Sequence, residues 1–174
     1  GIVESESLLS PLPSSVDIDP SVLVDAEVVR ATQGSPFRPV EHTNGLIRRA
    51  DRLRTCTTTV VPPQIEVYYR AVMDDGTKLV SVTTEEAFDL FVSNHHEEIA
   101  DALETGLYEL YLTDQPVPYG LVVGDGPDGS EMRLTVYADD GIVGTVSNDS
   151  PEAVSWANER LDDYFETAER VSLS

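Results

Sequence analysis

The sequence predicts an α/β fold: a single domain on a mixed, largely parallel sheet with flanking helices, a C-terminal antiparallel meander and a closing helix. Three observations predict it. Through the first two-thirds of the chain, short β-branched runs alternate with stretches whose apolar residues recur at helical spacing, the pattern of β-α-β units. The last third holds three apolar runs separated by tight Gly and Asp turns. The chain has 174 residues, 40% of them hydrophobic, and one domain of this length buries ~70% of its unfolded surface.

Residues 1–19 are rich in Ser and Pro and read as a linker, leaving residues 20–174 as the folded domain. Residues 27–32 read as a strand, and Pro36 and Pro39 punctuate the turn after it. From 40 to 53, Leu46, Ile47, Ala50 and Leu53 recur at i, i+1, i+4 and i+7, one face of a helix. Residues 54–61 are β-branched and read as a strand stopped by Pro62 and Pro63. A short helix over 64–73, a turn at Asp74-Asp75-Gly76 and a strand over 78–82 follow.

Thr83 and Glu86 have the spacing of a capping box. The helix they open carries Phe88, Phe91, Val92, His95, Ile99, Ala102 and Leu103 on one face, and Gly106 ends it as a C′ glycine. Residues 107–113 read as a strand, and 119–123, 132–137 and 142–146 as three more. Ser150 as N-cap and Pro151 at N1 start the closing helix, whose stripe is Val154, Ala157, Leu161, Phe165 and Ala168.

Charge sets the chemistry of the surface. There are 32 Asp plus Glu against 11 Lys plus Arg, a formal net charge of -21, with Lys78 the only lysine. Such a charge keeps a chain soluble but makes its compact state repel itself. At ~1 M salt the Debye length is only ~3 Å, which relieves the repulsion. The composition therefore points to a salt-rich cytoplasm and excludes a chain that itself holds nucleic acid, because phosphates need Lys and Arg. The one basic cluster, Arg48, Arg49, Arg52 and Arg54, reads as a solvated helix face paired with Glu41 and Asp51. The single Cys56 rules out an internal disulfide and fits a reducing cytosol. No apolar run reaches the ~18 residues of a membrane span, and no basic, apolar leader opens the chain. Gly1 in place of Met reads as an expression scar on a piece of a longer protein.

Each motif that carries chemistry has a plainer reading. Residues 124–129 match the letters of a G-x-G-x-x-G loop, but a strand follows where a phosphate needs a helix N-terminus, Pro127 removes an amide, and Asp125 and Asp128 repel an anion. A hairpin turn is the better reading; a loose Ca²⁺ at those aspartates lacks EF-hand spacing. His95-His96-Glu97-Glu98 resembles a metal cluster, yet adjacent helical residues diverge by ~100° and the i+4 position of His95 is Ile99. His95 is expected at the edge of the buried face and His96 in solvent, with no metal. Cys56 between threonines reads as a small core residue rather than a nucleophile, although His42 could approach it in space. No G-x-S-x-G elbow is present.

Ligands of open α/β sheets settle beyond the carboxyl ends of the parallel strands. Those ends lie near Thr32, Thr59 to Pro62, Thr83 and Thr113-Asp114. Cys56, Thr57, Thr58, Thr59, Thr83, Asp114 and Tyr119 are therefore the candidate ligand-binding residues, their hydroxyls lining a pocket. Ordinary strand threonines and a hairpin connection are the competing reading. No catalytic residue and no cofactor are assigned.

A resemblance adds to this. Leu103-Glu104-Thr105-Gly106, Val117-Pro118-Tyr119-Gly120-Leu121, Tyr137-Ala138-Asp139-Asp140-Gly141 and Asn148-Asp149-Ser150-Pro151-Glu152-Ala153, with Trp156-Ala157 and Tyr164, occur in a characteristic order. Upstream stand residues 25–32, Ser35-Pro36-Phe37 and Pro39-Val40-Glu41. Over about residues 17–170 the chain resembles the effector domains that follow a winged helix in haloarchaeal transcription regulators, and is similar to the middle domain of methanogenesis-type archaeal regulators. The resemblance implies a sheet of the phospholipase D-like fold, a missing N-terminal winged helix, and a role in ligand sensing or dimerisation. Enzymes of that fold need an H-x-K motif, and Gly76 stands two positions before Lys78.

The expected function is a non-catalytic sensor: an unidentified small molecule binds a homodimer that meets DNA only through a domain outside this chain, with no membrane contact. A ligand-free interaction or dimerisation module, and a hydrolase using Asp, His42 and Cys56, are the alternatives.

Overall fold

The computed structural model describes all residues except Gly1, Val60, Asp139, Asp140 and Ser174. Eight strands form one sheet: β1 (Glu27–Arg30), β2 (Arg52–Cys56), β3 (Lys78–Thr84), β4 (Tyr108–Thr113), β5 (Gly120–Gly126), β6 (Gly129–Ala138), β7 (Gly141–Asn148) and β8 (Glu169–Arg170). Five helices flank it: α1 (Ile2–Leu9), α2 (Arg38–Arg49), α3 (Pro62–Met73), α4 (Glu85–Glu104) and α5 (Pro151–Thr167). The spatial order is β1-β7-β6-β5-β2-β3-β4-β8.

The mixed α/β sheet agrees with the expectation, and its parallel part is confined to β2, β3 and β4. All other pairings are antiparallel. Strand β1 lies at the far edge on β7 rather than beside β2. A local β-α-β pattern gives the order of elements along the chain, but the meander β5-β6-β7 is inserted between β1 and β2 in space.

The two faces of the sheet follow from period-2 alternation. On one face, α2, α3 and α4 bury Leu46, Ile47, Leu53, Val72, Leu79 and Val122. On the other, α1 and α5 cover Cys56, Leu121, Val123, Leu134, Val146 and Leu161. The segment read as a linker carries α1, whose Leu8 is fully buried in this second cluster.

Several boundaries shift. Helix α2 stops at Arg49 because Ala50 is extended (ψ 145°), so Leu53 belongs to β2 and not to the helix. Strand β2 ends at Cys56, before the threonines, and Val60 of the expected strand lies outside the described residues. Thr84, not Thr83, caps α4: its side chain accepts from the Ala87 amide at 3.3 Å. Thr83 points the other way and donates to the Thr57 carbonyl at 2.6 Å. Gly106 follows α4 at φ +77°, the left-handed position that a C′ glycine fills. Ser150 and Pro151 start α5 as expected, with the Ala153 amide donating to Ser150 Oγ at 3.2 Å. Helix α4 breaks at His95 (φ -139°, ψ 34°), so its two halves meet the sheet separately.

Candidate ligand site

Residues at odd positions of β2 and β3 point toward α3 and α4. Thr55, Thr57, Ser81 and Thr83 thus share a face with Tyr108 and Leu110 of β4. Between that face and the helices lies a cavity of about 90 Å³. Its walls are apolar: Ile65 and Val72 from α3, Phe91, Ile99 and Ala102 from the two halves of α4, and Leu79 and Leu110 from the sheet.

The hydroxyls at its floor are mostly committed. Thr55 Oγ1 donates to Ser81 Oγ at 2.9 Å. Thr57 Oγ1 donates to the Thr59 carbonyl at 2.9 Å, and the Tyr137 hydroxyl donates to the same carbonyl at 3.0 Å. Burial pushes the Tyr137 phenol up to about 12, against a smaller lowering by its bond with Thr57. Burial likewise raises Tyr108, which Ser81 partly offsets.

Tyr68, from α3, is the exception. Tyr68 lines the cavity, and its hydroxyl has no hydrogen-bond partner among the described residues. Burial holds its phenol far above the usual range, and the neighbouring Tyr137 and Tyr108 raise it further. A hydroxyl that has no protein partner and belongs to a half-buried residue at a cavity is a place for a ligand or water atom to bind.

The expected site residues divide into three groups. Thr57 and Thr83 line this cavity. Thr58 and Asp114 line a wider groove of about 770 Å³ beyond the strand ends, together with Glu85, Glu86 and the exposed Leu90. Cys56 and Tyr119 face the other side of the sheet and belong to the α5 core, where Tyr119 packs near Trp156. Thr59 is exposed and contributes its carbonyl. Cys56, the last residue of β2, packs into the α5 core, while Thr57, just past the strand, lines the cavity. Sequence reasoning missed Tyr68, Tyr108, Ser81 and Glu98. For Ser81 and Tyr108 the signal was available in the period-2 register of β3 and β4.

His42 does not meet Cys56. It projects from α2 on the opposite face, where its Nε2 lies 2.9 Å from Ser147 Oγ and 3.9 Å from Glu27. Burial, aided by the Arg133 charge, holds its pKa below the ordinary value despite Glu27. Arg133 is itself buried, donating to the His42 carbonyl at 2.6 Å and to Glu131 at 2.9 Å. Burial also pushes the Cys56 thiol up to about 12.

The basic cluster is dispersed rather than ranged along one helix face. Arg48 and Arg49 end α2, while Arg52 and Arg54 lie in β2. Arg49 pairs with Glu131. Arg54 bonds Asn158 at 2.7 Å and Asp162, with its guanidinium 5.4 Å from the centre of the Phe165 ring. His95 is partly buried and its Nδ1 lies 2.8 Å from Glu98, while His96 is exposed. Among the described residues, no group of His, Cys, Asp and Glu is arranged to hold a metal ion, and no helix is long and apolar enough to cross a membrane.

The family model described as "Methanogenesis regulatory protein FilR1, middle domain" matches residues 36–167. The chain belongs to this family. A comparison with curated proteins returned no match. Among solved structures, TrmBL2, titled an archaeal chromatin protein with a novel mode of DNA binding, superposes with a TM-score of 0.64 at 18% identity over 97% of this chain. This chain spans 60% of the length of that one. Nuc, a phospholipase D family member from Salmonella typhimurium, gives 0.62 at 13% identity, covering 85% of this chain and 98% of its own. NucT from Helicobacter pylori gives 0.59 at 10% identity, covering 82% and 96%. The chain thus shares its fold with these proteins, one of them a phospholipase D family member. In this member Lys78 opens β3 with an exposed side chain, preceded by Gly76 in the turn.

Proposed function

We propose that this FilR1 middle domain is the non-catalytic sensor of an archaeal transcription regulator, with a small molecule seated in the cavity between β2–β4 and α3/α4. The carrying observation is the Tyr68 hydroxyl, unpartnered at an apolar-walled cavity whose other hydroxyls are mostly committed. A ligand there touches both halves of α4 at once, through Phe91 on one side of the His95 break and Ile99 and Ala102 on the other. Binding that depends on the angle between those halves gives the differential affinity that any switch requires. The readout reaches DNA through other domains of a homodimer, because the acidic surface of this domain opposes phosphate contact. The net charge of -21 supports a salt-rich cytoplasm as its setting.

Phosphodiester or hydrolytic chemistry has little to stand on. The lysine has glycine where the H-x-K pattern needs histidine. Cys56 and His42 lie on opposite faces, and the thiol is held protonated.

Thermal unfolding with a panel of small apolar fragments tests the reading. A ligand that binds only the folded state stabilises by RT ln(1 + [L]/Kd). Fragments that raise the midpoint of the wild-type domain should leave an Ala102→Leu variant, whose cavity is filled, unmoved. Equal stabilisation of both would place binding elsewhere and overturn the proposal.

A further inference from the structure

We infer that the ligand of this cavity is a small organic cation, an amine on a short apolar body, held at its charged end by Glu98; the inference rests on the sensor reading above. Glu98 is the one charged residue among the described cavity-lining groups, and no Lys or Arg lines the cavity. Its side chain is 45% exposed, which puts it at the mouth rather than the floor. His95 Nδ1 occupies Oε2 at 2.8 Å, and a carboxylate has further acceptor sites on its second oxygen. Asp101 sits beside Tyr69 close by, adding negative potential to the same rim.

The alternatives are selected against. A carboxylate or phosphate ligand would meet the Glu98 carboxylate with no Lys or Arg at the cavity to offset it, inside the field of a chain at -21. A neutral ligand would leave the second oxygen of the Glu98 carboxylate without a charged partner. Four aromatic residues line the cavity, Tyr68, Tyr69, Phe91 and Tyr108, and an ammonium is attracted to the face of such a ring. Size limits the body. A cavity of ~150 Å³ holds a benzene ring, so one of about 90 Å³ that opens to solvent takes a short branched chain with its polar end outward.

A matched set of probes separates charge from shape: 3-methylbutylamine, 3-methylbutanol and 3-methylbutanoate. Dissociation constants are measured by ligand-observed NMR at 1 M KCl, where the general field of the protein is screened but a local, partly buried pair is screened less. The amine should bind at least tenfold more tightly than the alcohol, with the carboxylate weakest. Glu98→Gln should bring the amine to the level of the alcohol and leave the alcohol unchanged, although the net charge moves by only one. Alcohol binding equal to the amine, or an amine preference that survives Glu98→Gln, would overturn the cationic assignment while the cavity stands. Failure of all three probes to bind would remove the cavity reading together with it.

Discussion

A Cβ on Gly120 would stand 2.7 Å from the hydroxyl oxygen of Tyr137. Strand β5 therefore leaves open the space that the Tyr137 phenol fills on its way to the Thr59 carbonyl. Glycine at 120 and tyrosine at 137 together fix the end of β2 above the cavity. Gly120→Ala should cost about 1–3 kcal/mol, the usual cost of overpacking. Tyr137→Phe removes the colliding oxygen and its hydrogen bonds to the Thr59 carbonyl and to Thr57, at about 1 kcal/mol each. In the double variant the alanine should cost clearly less than it does alone. Denaturant midpoints over the four proteins measure that coupling.

Cys56 should behave as a core residue. With its thiol pushed up to about 12 and fully buried, almost no thiolate exists near neutrality. A thiol reagent should label the native domain no faster than the domain unfolds, and label it at once in denaturant. Rapid native labelling would place the thiol in an open site.

Stability should fall on the acid side through His42. Its folded pKa lies below the unfolded value of about 6.5, so the folded state favours the neutral ring. The contribution is then fully present above the unfolded pKa and is lost as pH falls through the folded one. His42→Gln should reduce the decline in unfolding free energy below about pH 6.5, measured by denaturant titration at several pH values. An unchanged slope would assign the decline to other groups.

Arg133 is a buried cation, with its side chain 2% exposed, paired to Glu131 and to the His42 carbonyl. Removing one partner of a buried pair costs about 3–5 kcal/mol, because the other is left uncompensated, and alanine also empties volume that methionine keeps filled. Arg133→Ala should therefore destabilise strongly and Arg133→Met by less. Equal losses would show that the charge and its hydrogen bonds, not packing, hold α2 on β6.

Most elements were legible because their signals are local. Ser150 and Pro151 specify a helix start within four residues, and Gly106 specifies a helix end by its φ. The place of β1 was not legible, because pairing Glu27 with Ser147 joins residues far apart in sequence and nothing near β1 encodes its partner. Strand β8 was missed because two residues carry no periodicity. For the site, Thr57 and Thr83 were found from the rule that ligands gather at strand ends, and they do line the cavity. Cys56 and Tyr119 were grouped with them because sequence proximity was allowed to override alternation; register sends both to the α5 side. Tyr68 was invisible for another reason. A helix shows its buried stripe, but a phenol at the edge of a stripe looks the same whether it meets solvent or a cavity.

The central claim is that the space beside Tyr68 receives a ligand. The direct measurement follows the ring resonances of Tyr68, Tyr108 and Phe91 as 3-methylbutylamine is titrated into the wild-type domain and into Ala102→Leu. The account expects saturable shifts of all three rings in the wild type and none in the filled variant. Shifts of the same size in both proteins, or shifts confined to the groove at Thr58 and Asp114, would contradict it.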